Sequence, residues 1–202
     1  GDLPDLKISG WVDFNYVNQD PDNSTGTTFA DSDTLALHEV EINFAFDFGN
    51  GLTAKFDLQA DTASQAGAGS IEDVELEEAY FSYDFLDGED TSLTLSAGRF
   101  FSQLGLETRD LTGLYQFSNG YTVAGPGSAL GLQDGVRLNY SSDMFAVGLS
   151  VVDGAFTNDK LASELGYELF ASFTGVENLT VSAGYASEET EAGVDLDIWT
   201  VN

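Results

Sequence analysis

The sequence has 202 residues, six Lys and Arg against 35 Asp and Glu, no Cys, and a formal net charge of −29. A chain without cysteine offers no disulfide, thiolate metal site or cysteine nucleophile, and this charge excludes nucleic acid as a partner because two polyanions repel. The charge suits a salty environment or cationic partners, although an acidic surface also keeps an ordinary protein soluble.

Alternation of apolar and polar residues predicts an all-β fold with ten strands. In the first strand, Ile8 and Val12 occupy one face while Lys7 and Asp13 occupy the other. The predicted strands are 7–17, 35–48, 52–61, 74–85, 92–100, 132–141, 145–151, 167–173, 179–185 and 194–201.

The connections between these strands alternate in length. Short turns lie near Asn50, Gly88, Asp143 and Glu177, and the pair Asn50-Gly51 is the strongest short hairpin signal. Short turns at one end and long loops at the other predict an antiparallel up-and-down barrel, whereas a Greek-key sandwich would not keep this order. The longer connections are 18–33, 62–71, 101–130, 153–163 and 187–193.

The alternation alone does not decide which face is buried. No run approaches the ~18 consecutive apolar residues of a transmembrane helix, and the sequence starts without a secretory signal. Strand lengths of ~8–12 residues, a polar face of small and charged residues, and aromatics near the short turns favour a membrane barrel over a soluble barrel or sandwich. This interpretation places Arg99 on the lipid side, which requires either a bulge or a position beyond the apolar band. The aromatics are Phe46, Phe48, Tyr83, Phe85, Tyr140, Phe145 and Phe173.

The longest connection, 101–130, is densely punctuated by glycine and contains Pro126, which excludes a long helix. A structureless connection of this length is uncommon in a compact domain and is usually functional. We predict that it folds into a pore as a constriction loop. Its charged residues Glu107, Arg109 and Asp110 would create a transverse field there, or would form a local ion pair that stabilises the loop.

Carboxylates outnumber bases on the predicted polar face, which would line the lumen of a membrane barrel. Rings of acidic side chains attract cations and repel anions, although this bias also mirrors the composition of the whole chain. The predicted lumen residues are Asp13, Glu39, Glu41, Asp57, Glu78, Arg137, Glu168, Asp195 and Asp197.

Catalysis and metal binding both have weak support in the sequence. His38 is the single histidine, and no nucleophile can be placed beside it, so enzymatic activity is not expected. Three acidic runs, 31–33, 87–90 and 188–191, offer oxygen ligands for Ca²⁺ but lack the spacing of a known calcium loop. No cofactor is therefore predicted, and Ca²⁺ at these runs is the alternative.

Residues 76–85 (LEEAYFSYDF) and 95–107 (LSAGRFFSQLGLE) resemble the OmpL-like β-barrel porins and are similar to the phosphate-selective porins. Residues 136–154 resemble the hairpin that follows in those families. The resemblance implies the outer membrane of a Gram-negative bacterium, contact with its lipid, and passive diffusion of ions and small solutes. It also implies a homotrimer and about sixteen strands in the complete barrel.

The leading hypothesis is a passive outer-membrane porin that prefers cations and has no enzymatic activity. The alternative is a structural or adhesive surface barrel or filament protein without transport, and a barrel enzyme ranks third. Residues 1–202 are expected to form one barrel domain. Because the sequence ends at Val201-Asn202 without the terminal aromatic of an outer-membrane barrel, we expect further strands beyond it; a complete ten-strand barrel is the alternative.

Overall fold

The computed structural model describes residues 3–19, 32–62, 71–88, 90–104, 131–156, 165–190 and 193–201. They form one antiparallel sheet in which every strand pairs with the next, in the order β1 to β10. The predicted all-β, up-and-down architecture with ten strands is thereby confirmed. Within the described ranges, β1 pairs only with β2 and β10 only with β9, so the sheet is open there. The strands are β1 (Asp5–Gln19), β2 (Ser32–Gly49), β3 (Leu52–Thr62), β4 (Ile71–Asp87), β5 (Thr91–Phe101), β6 (Leu132–Ser142), β7 (Phe145–Val152), β8 (Gly166–Val176), β9 (Leu179–Glu189) and β10 (Asp195–Val201).

The strand boundaries follow the predicted turn chemistry. Asn50 and Gly51 both have positive φ, 54° and 81°, which is the type I′ geometry of a two-residue hairpin.

β9 continues to Glu189, so the prediction that a loop begins at residue 187 is wrong. The reason is pairing on both sides, since Ser187 lies opposite Tyr167 of β8 and Asp197 of β10. In the part of the chain that is described, no helix is long and apolar enough to span a membrane.

In a soluble domain the apolar face of a sheet is buried and the polar face is exposed; in this sheet the exposure of the two faces is reversed. On one face, Ile8 and Phe81 are 60% and 57% exposed; on the other, Arg137 and Glu168 are 7% and 1% exposed. We call these the apolar face and the polar face. A soluble sheet buries its apolar face against another layer, whereas here the apolar face is open and it is on the polar face that side chains such as Arg137 and Glu168 are covered. This is the inverted arrangement that the membrane interpretation predicts.

A β-bulge keeps the apolar residues of β2 on one face. The β1–β2 register shifts at His38, which is the extra residue in β2. Leu35 and Leu37 have odd numbers, whereas Val40 and the apolar residues after it have even numbers, so strict alternation would place the two leucines on the polar face. The bulge reverses the alternation, and both leucines remain exposed on the apolar face. Of the His38 side chain the structure describes nothing.

Arg99 lies on the apolar face opposite Asp134 of β6, as strict alternation predicts. Its guanidinium forms a two-point ion pair, with Nε 2.7 Å from Asp134 Oδ1 and Nη2 2.8 Å from Oδ2. The β5–β6 register contains no shift, so a bulge in this pair is not the explanation for Arg99. Instead its charge is neutralised by a partner near the end of β5, at the start of the long connection.

The structure corrects the predicted orientation of β10. Asp195 and Asp197 were expected in the lumen, but they lie opposite Glu189 and Ser187 and share the apolar face with them. The Tyr185 hydroxyl, on the same face, donates a hydrogen bond of 2.6 Å to Asp197 Oδ1. In β10 both the even-numbered and the odd-numbered positions include apolar residues, so the alternation does not assign the faces. Only the register with β9 decides which face each residue occupies.

Gly98 in β5 is a position where a side chain does not fit. Its φ of 136° is rarely adopted by other residues, and an added Cβ would overlap the carbonyl oxygen of Ala79 and lie 2.7 Å from Tyr80 Cα. We expect Gly98→Ala to lower the free energy of unfolding by about 3 kcal/mol, because the backbone of a paired strand cannot move aside cheaply.

Gly49→Ala is the matched control for this substitution. Gly49 also has positive φ, 78°, but nothing lies within 4 Å of an added Cβ, so only backbone strain of about 1–2 kcal/mol is expected. Denaturant unfolding in detergent micelles, followed by circular dichroism, measures both variants. Equal losses would contradict the steric explanation for Gly98.

Candidate functional site

The polar face gathers most of the residues predicted to line a lumen. The pairing registers place them there because residues directly opposite each other in neighbouring strands share a face. For example, Asp13 lies opposite Glu39, and Arg137 lies two strands from Glu168 with Ser150 between them. The predicted lumen residues on the polar face are Asp13, Glu39, Glu41, Asp57, Glu78, Arg137 and Glu168.

Five carboxylates from β2, β3 and β4 form a buried group on this face, which we call the acidic cluster. Lys55 is the base that contacts it, with Nζ 2.7 Å from Asp57 Oδ2 and 2.5 Å from Glu78 Oε2. Glu41 Oε2 and Asp57 Oδ1 are buried and have no hydrogen-bond partner in the described part of the chain. The single positive charge of Lys55 can neutralise at most one of the charges of Asp57 and Glu78, which favours a negative potential on this part of the sheet. The acidic cluster consists of Glu39, Glu41, Asp57, Glu77 and Glu78, each at most 9% exposed.

Glu77 belongs to this cluster although alternation assigns it to the opposite face. The β3–β4 register shifts where Asp57 passes the pair Glu77–Glu78, and this bulge leaves Glu77 5% and Glu78 9% exposed. The signal was present in the sequence. The apolar positions change there from even numbers at Leu76 to odd numbers at Ala79, which a single regular strand cannot produce.

A second group of polar residues fixes the beginning of the long connection to the wall. The carboxylate of Glu168 accepts hydrogen bonds from Ser102 Oγ at 2.5 Å, from the Gln103 backbone N–H at 2.8 Å and from Gln133 Nε2 at 3.2 Å. Arg137 Nη2 lies 3.5 Å from the same carboxylate. We call these five residues the loop anchor.

Arg137 also contacts the loop directly. Its Nη2 donates a 2.7 Å hydrogen bond to the Phe101 carbonyl, and its Nε donates one of 2.9 Å to Ser150 Oγ. The guanidinium carbon lies 3.9 Å from the centre of the Phe100 ring, a cation–π contact. Arg137 thus satisfies a backbone acceptor at the point where the chain leaves β5.

Apolar packing continues the path of the loop across the polar face. Leu104 is buried, and its side chain lies over Gly184 of β9, where an added Cβ would be 2.7 Å from Leu104 Cγ. It packs with Phe100 and with small apolar residues of β9 and of the segment after β7, including Ala155 and Ala186. The described start of the connection therefore leaves β5 inward, over β6 to β9, rather than outward.

Some predicted residues lie outside the described ranges. The predicted constriction loop spans 101–130, of which residues 101–104 are described, and its charged residues Glu107, Arg109 and Asp110 are not. The carboxylate of Glu188, predicted in an acidic loop, instead lies on the polar face and accepts a 2.6 Å hydrogen bond from the Phe156 backbone. Among the residues described, no three His, Asp or Glu side chains are arranged to hold a metal ion. Ca²⁺ binding at the acidic runs stays a prediction.

Comparison with known proteins agrees with this architecture. The family model described as "Putative beta-barrel porin-2, OmpL-like" matches residues 5–197, from the start of β1 into β10. No curated protein gives a significant match. The resemblance predicted from residues 76–85 and 95–107 is thereby confirmed.

Proposed function

This chain belongs to the family of OmpL-like β-barrel porins, and from that premise we propose that it forms a passive diffusion pore for ions and small hydrophilic solutes in the outer membrane of a Gram-negative bacterium. The inverted sheet carries the proposal. A protein that exposes apolar side chains on one face of its sheet and covers charged ones such as Arg137 and Glu168 on the other needs hydrocarbon on one side and water on the other.

Lipid is the partner that the apolar face fits. Half-exposed aliphatic and aromatic side chains continue over the strands from Leu6 in β1 to Val181 in β9, and a soluble monomer rarely exposes an apolar surface of this extent. A homotrimer, which the family likeness implies, would cover part of this surface with a second copy.

Constriction of the pore is the role we propose for the long connection. Its first residues turn onto the polar face, where the loop anchor and Leu104 hold them against β6 to β9. A loop that starts on the polar face and is held there by a buried carboxylate and a buried guanidinium would narrow the water-filled pore beside the wall.

Cation preference is the selectivity that the acidic cluster supports. Its carboxylates are buried on three neighbouring strands, and Lys55 carries one positive charge against Asp57 and Glu78, so a permeating cation is attracted to this part of the wall while an anion is repelled. On the same face Arg137 has Glu168 beside it. Selectivity for phosphate, which the likeness to phosphate-selective porins would imply, lacks a comparable cluster of bases among the described residues.

The test is the reversal potential of the full native protein in a planar bilayer under a KCl gradient. We expect a potential of the sign that K⁺ selectivity gives. A potential near zero, or one of Cl⁻ selectivity, would leave the pore standing and refute the role of the acidic cluster. Absence of any conductance would refute the pore and favour a structural or adhesive surface barrel.

A further inference from the structure

A cavity of about 420 Å³ lies on the polar face beside the loop anchor, and the proposed cation selectivity makes no use of it. It is of a size that holds a small organic ligand. Its walls come from β4 to β8 and combine hydroxyl, amide and aromatic side chains. They include Ser82, Thr94, Ser96, Asn139, Tyr80 and Phe170.

The hydroxyl groups of this cavity pair with each other or with the wall. Ser82 Oγ and Ser96 Oγ are 2.7 Å apart, and Thr94 donates to Asp84. These cross-strand pairs satisfy the hydroxyl-bearing side of the cavity. Each of these hydroxyl oxygens keeps acceptor capacity, because a hydroxyl has one O–H and two lone pairs.

Two amide oxygens in the cavity have no donor. Gln103 Oε1 and Asn139 Oδ1 are buried and accept no hydrogen bond from the residues that the structure describes. Both lie above Gly148 of β7: a Cβ built there would be 2.5 Å from Asn139 Oδ1 and still closer to Gln103 Oε1. Two buried acceptors that converge on one space require a donor from a ligand or solvent, because an unsatisfied buried acceptor is costly.

The two charged residues that line the cavity, Glu78 and Arg137, each have a partner of opposite charge. Glu78 is paired with Lys55, and Arg137 lies beside Glu168. A ligand therefore gains little from a net charge of its own. The ligand gains affinity from O–H groups that donate to the two amide oxygens. It also gains from an apolar surface that packs on the Tyr80 and Phe170 rings.

We propose that this cavity is a binding subsite for a neutral polyhydroxylated solute of monosaccharide size, whose hydroxyl groups donate to Gln103 Oε1 and Asn139 Oδ1. The inference rests on the proposed pore, since the pore brings the solute to the polar face. The subsite would give the pore a preferred class of solute, in addition to its selection of ions by charge.

Glucose is the probe, and triethylene glycol dimethyl ether is its control because it has nearly the same mass and only acceptor oxygens. Binding is measured by calorimetry on the detergent-solubilised full chain and by reduction of the ion current in planar bilayers. We expect glucose, and not the ether, to release or absorb heat on titration and to reduce the current. Equal responses to both would overturn the subsite, because they would reflect excluded volume rather than hydrogen bonding.

Two variants test the residues. Asn139→Leu removes one amide at similar size, and Gly148→Ala puts a methyl group where the two oxygens converge. The methyl group meets only the ends of flexible side chains, so the fold should persist. Each should weaken glucose binding roughly fivefold or more, the value of one lost hydrogen bond. Asn43→Leu, on the polar face of β2 outside the cavity, should leave binding unchanged.

The outcomes separate the subsite from the pore. Unchanged glucose binding in both variants, or K⁺-selective current without any response to glucose, would overturn the subsite and leave the pore standing. Glucose binding by calorimetry that both variants weaken, in a protein that conducts no ions, would support the subsite and overturn the pore.

Discussion

Replacing Glu168 by glutamine is expected to release the start of the long connection and to destabilise the sheet at the same time. Glu168 is 1% exposed and holds Ser102, Gln103 and Gln133 through its two oxygens, with Arg137 beside it. The amide keeps one acceptor and turns an N–H group toward donors. Arg137 then remains buried without its counter-charge, which costs about 3–5 kcal/mol in a protein interior.

Two measurements show the two effects. Thermal unfolding in detergent micelles should begin at a lower temperature, and single-channel recordings should show a larger and noisier conductance, because the proposed constriction loop is no longer fixed at its start. Glu189→Gln is the matched control, since Glu189 is an exposed residue of the neighbouring strand β9 on the apolar face. It should change neither quantity.

A double variant separates the charge pair from the anchoring of the loop. Arg137→Met with Glu168→Leu removes both charges and fills their space, and such replacements are often neutral for stability. We therefore expect unfolding to return close to that of the native protein. The conductance should stay altered, because Ser102 and Gln103 still lack their acceptor. A Glu168→Gln variant with native conductance would refute the loop anchor, whatever its stability.

Most of the architecture could be predicted because a barrel wall is a local pattern. Each strand carries its own alternation, and each short turn its own signal, as Asn50-Gly51 shows with two positive φ values. Pairing between consecutive strands then follows from the short turns. The ten strands and their order needed no information about residues far apart in the sequence.

Alternation is a weak guide where one extra residue or a change of register moves side chains to the other face of the sheet. The bulges at His38 and at Glu77–Glu78 reverse the alternation within a strand, and both were visible as a change in parity of the apolar positions. Asp197 was assigned to the wrong face because β10 is apolar at either parity, and only its pairing with β9 resolves this. Alternation is least reliable in a short strand such as β10, because few residues are available to establish the pattern.

The loop anchor was beyond the reach of sequence patterns for a different reason. Ser102 and Glu168 are 66 residues apart in the chain, and their contact depends on which way the chain turns after β5. Arg137 and Glu168 were both expected on the polar face, but alternation does not place two side chains in contact across β7. Gln133 gave no signal, since a single glutamine in a strand is usually a surface residue.

Neutralising one carboxylate of the acidic cluster is expected to reduce cation preference several-fold. Glu41 is the residue of choice because it is 3% exposed and its Oε2 has no hydrogen-bond partner, so its loss leaves no base unpaired. At about 8 Å from a permeating ion in water, one charge contributes about 0.5 kcal/mol. That favours K⁺ about twofold and disfavours Cl⁻ about twofold, so Glu41→Gln should lower the K⁺/Cl⁻ permeability ratio roughly fivefold in dilute salt.

Ionic strength provides the decisive check on this expectation. The Debye length falls from about 30 Å at 0.01 M to about 3 Å at 1 M salt, so the difference between native protein and Glu41→Gln should be large at the first concentration and vanish at the second. Glu177→Gln makes the same chemical change in the exposed turn after β8 and should leave the ratio unaltered. If both variants lower the ratio equally, selectivity follows the overall charge of the chain rather than the wall, and the acidic cluster loses its role. If only Glu41→Gln lowers it, the preference for cations is set on the wall by the acidic cluster of β2 to β4.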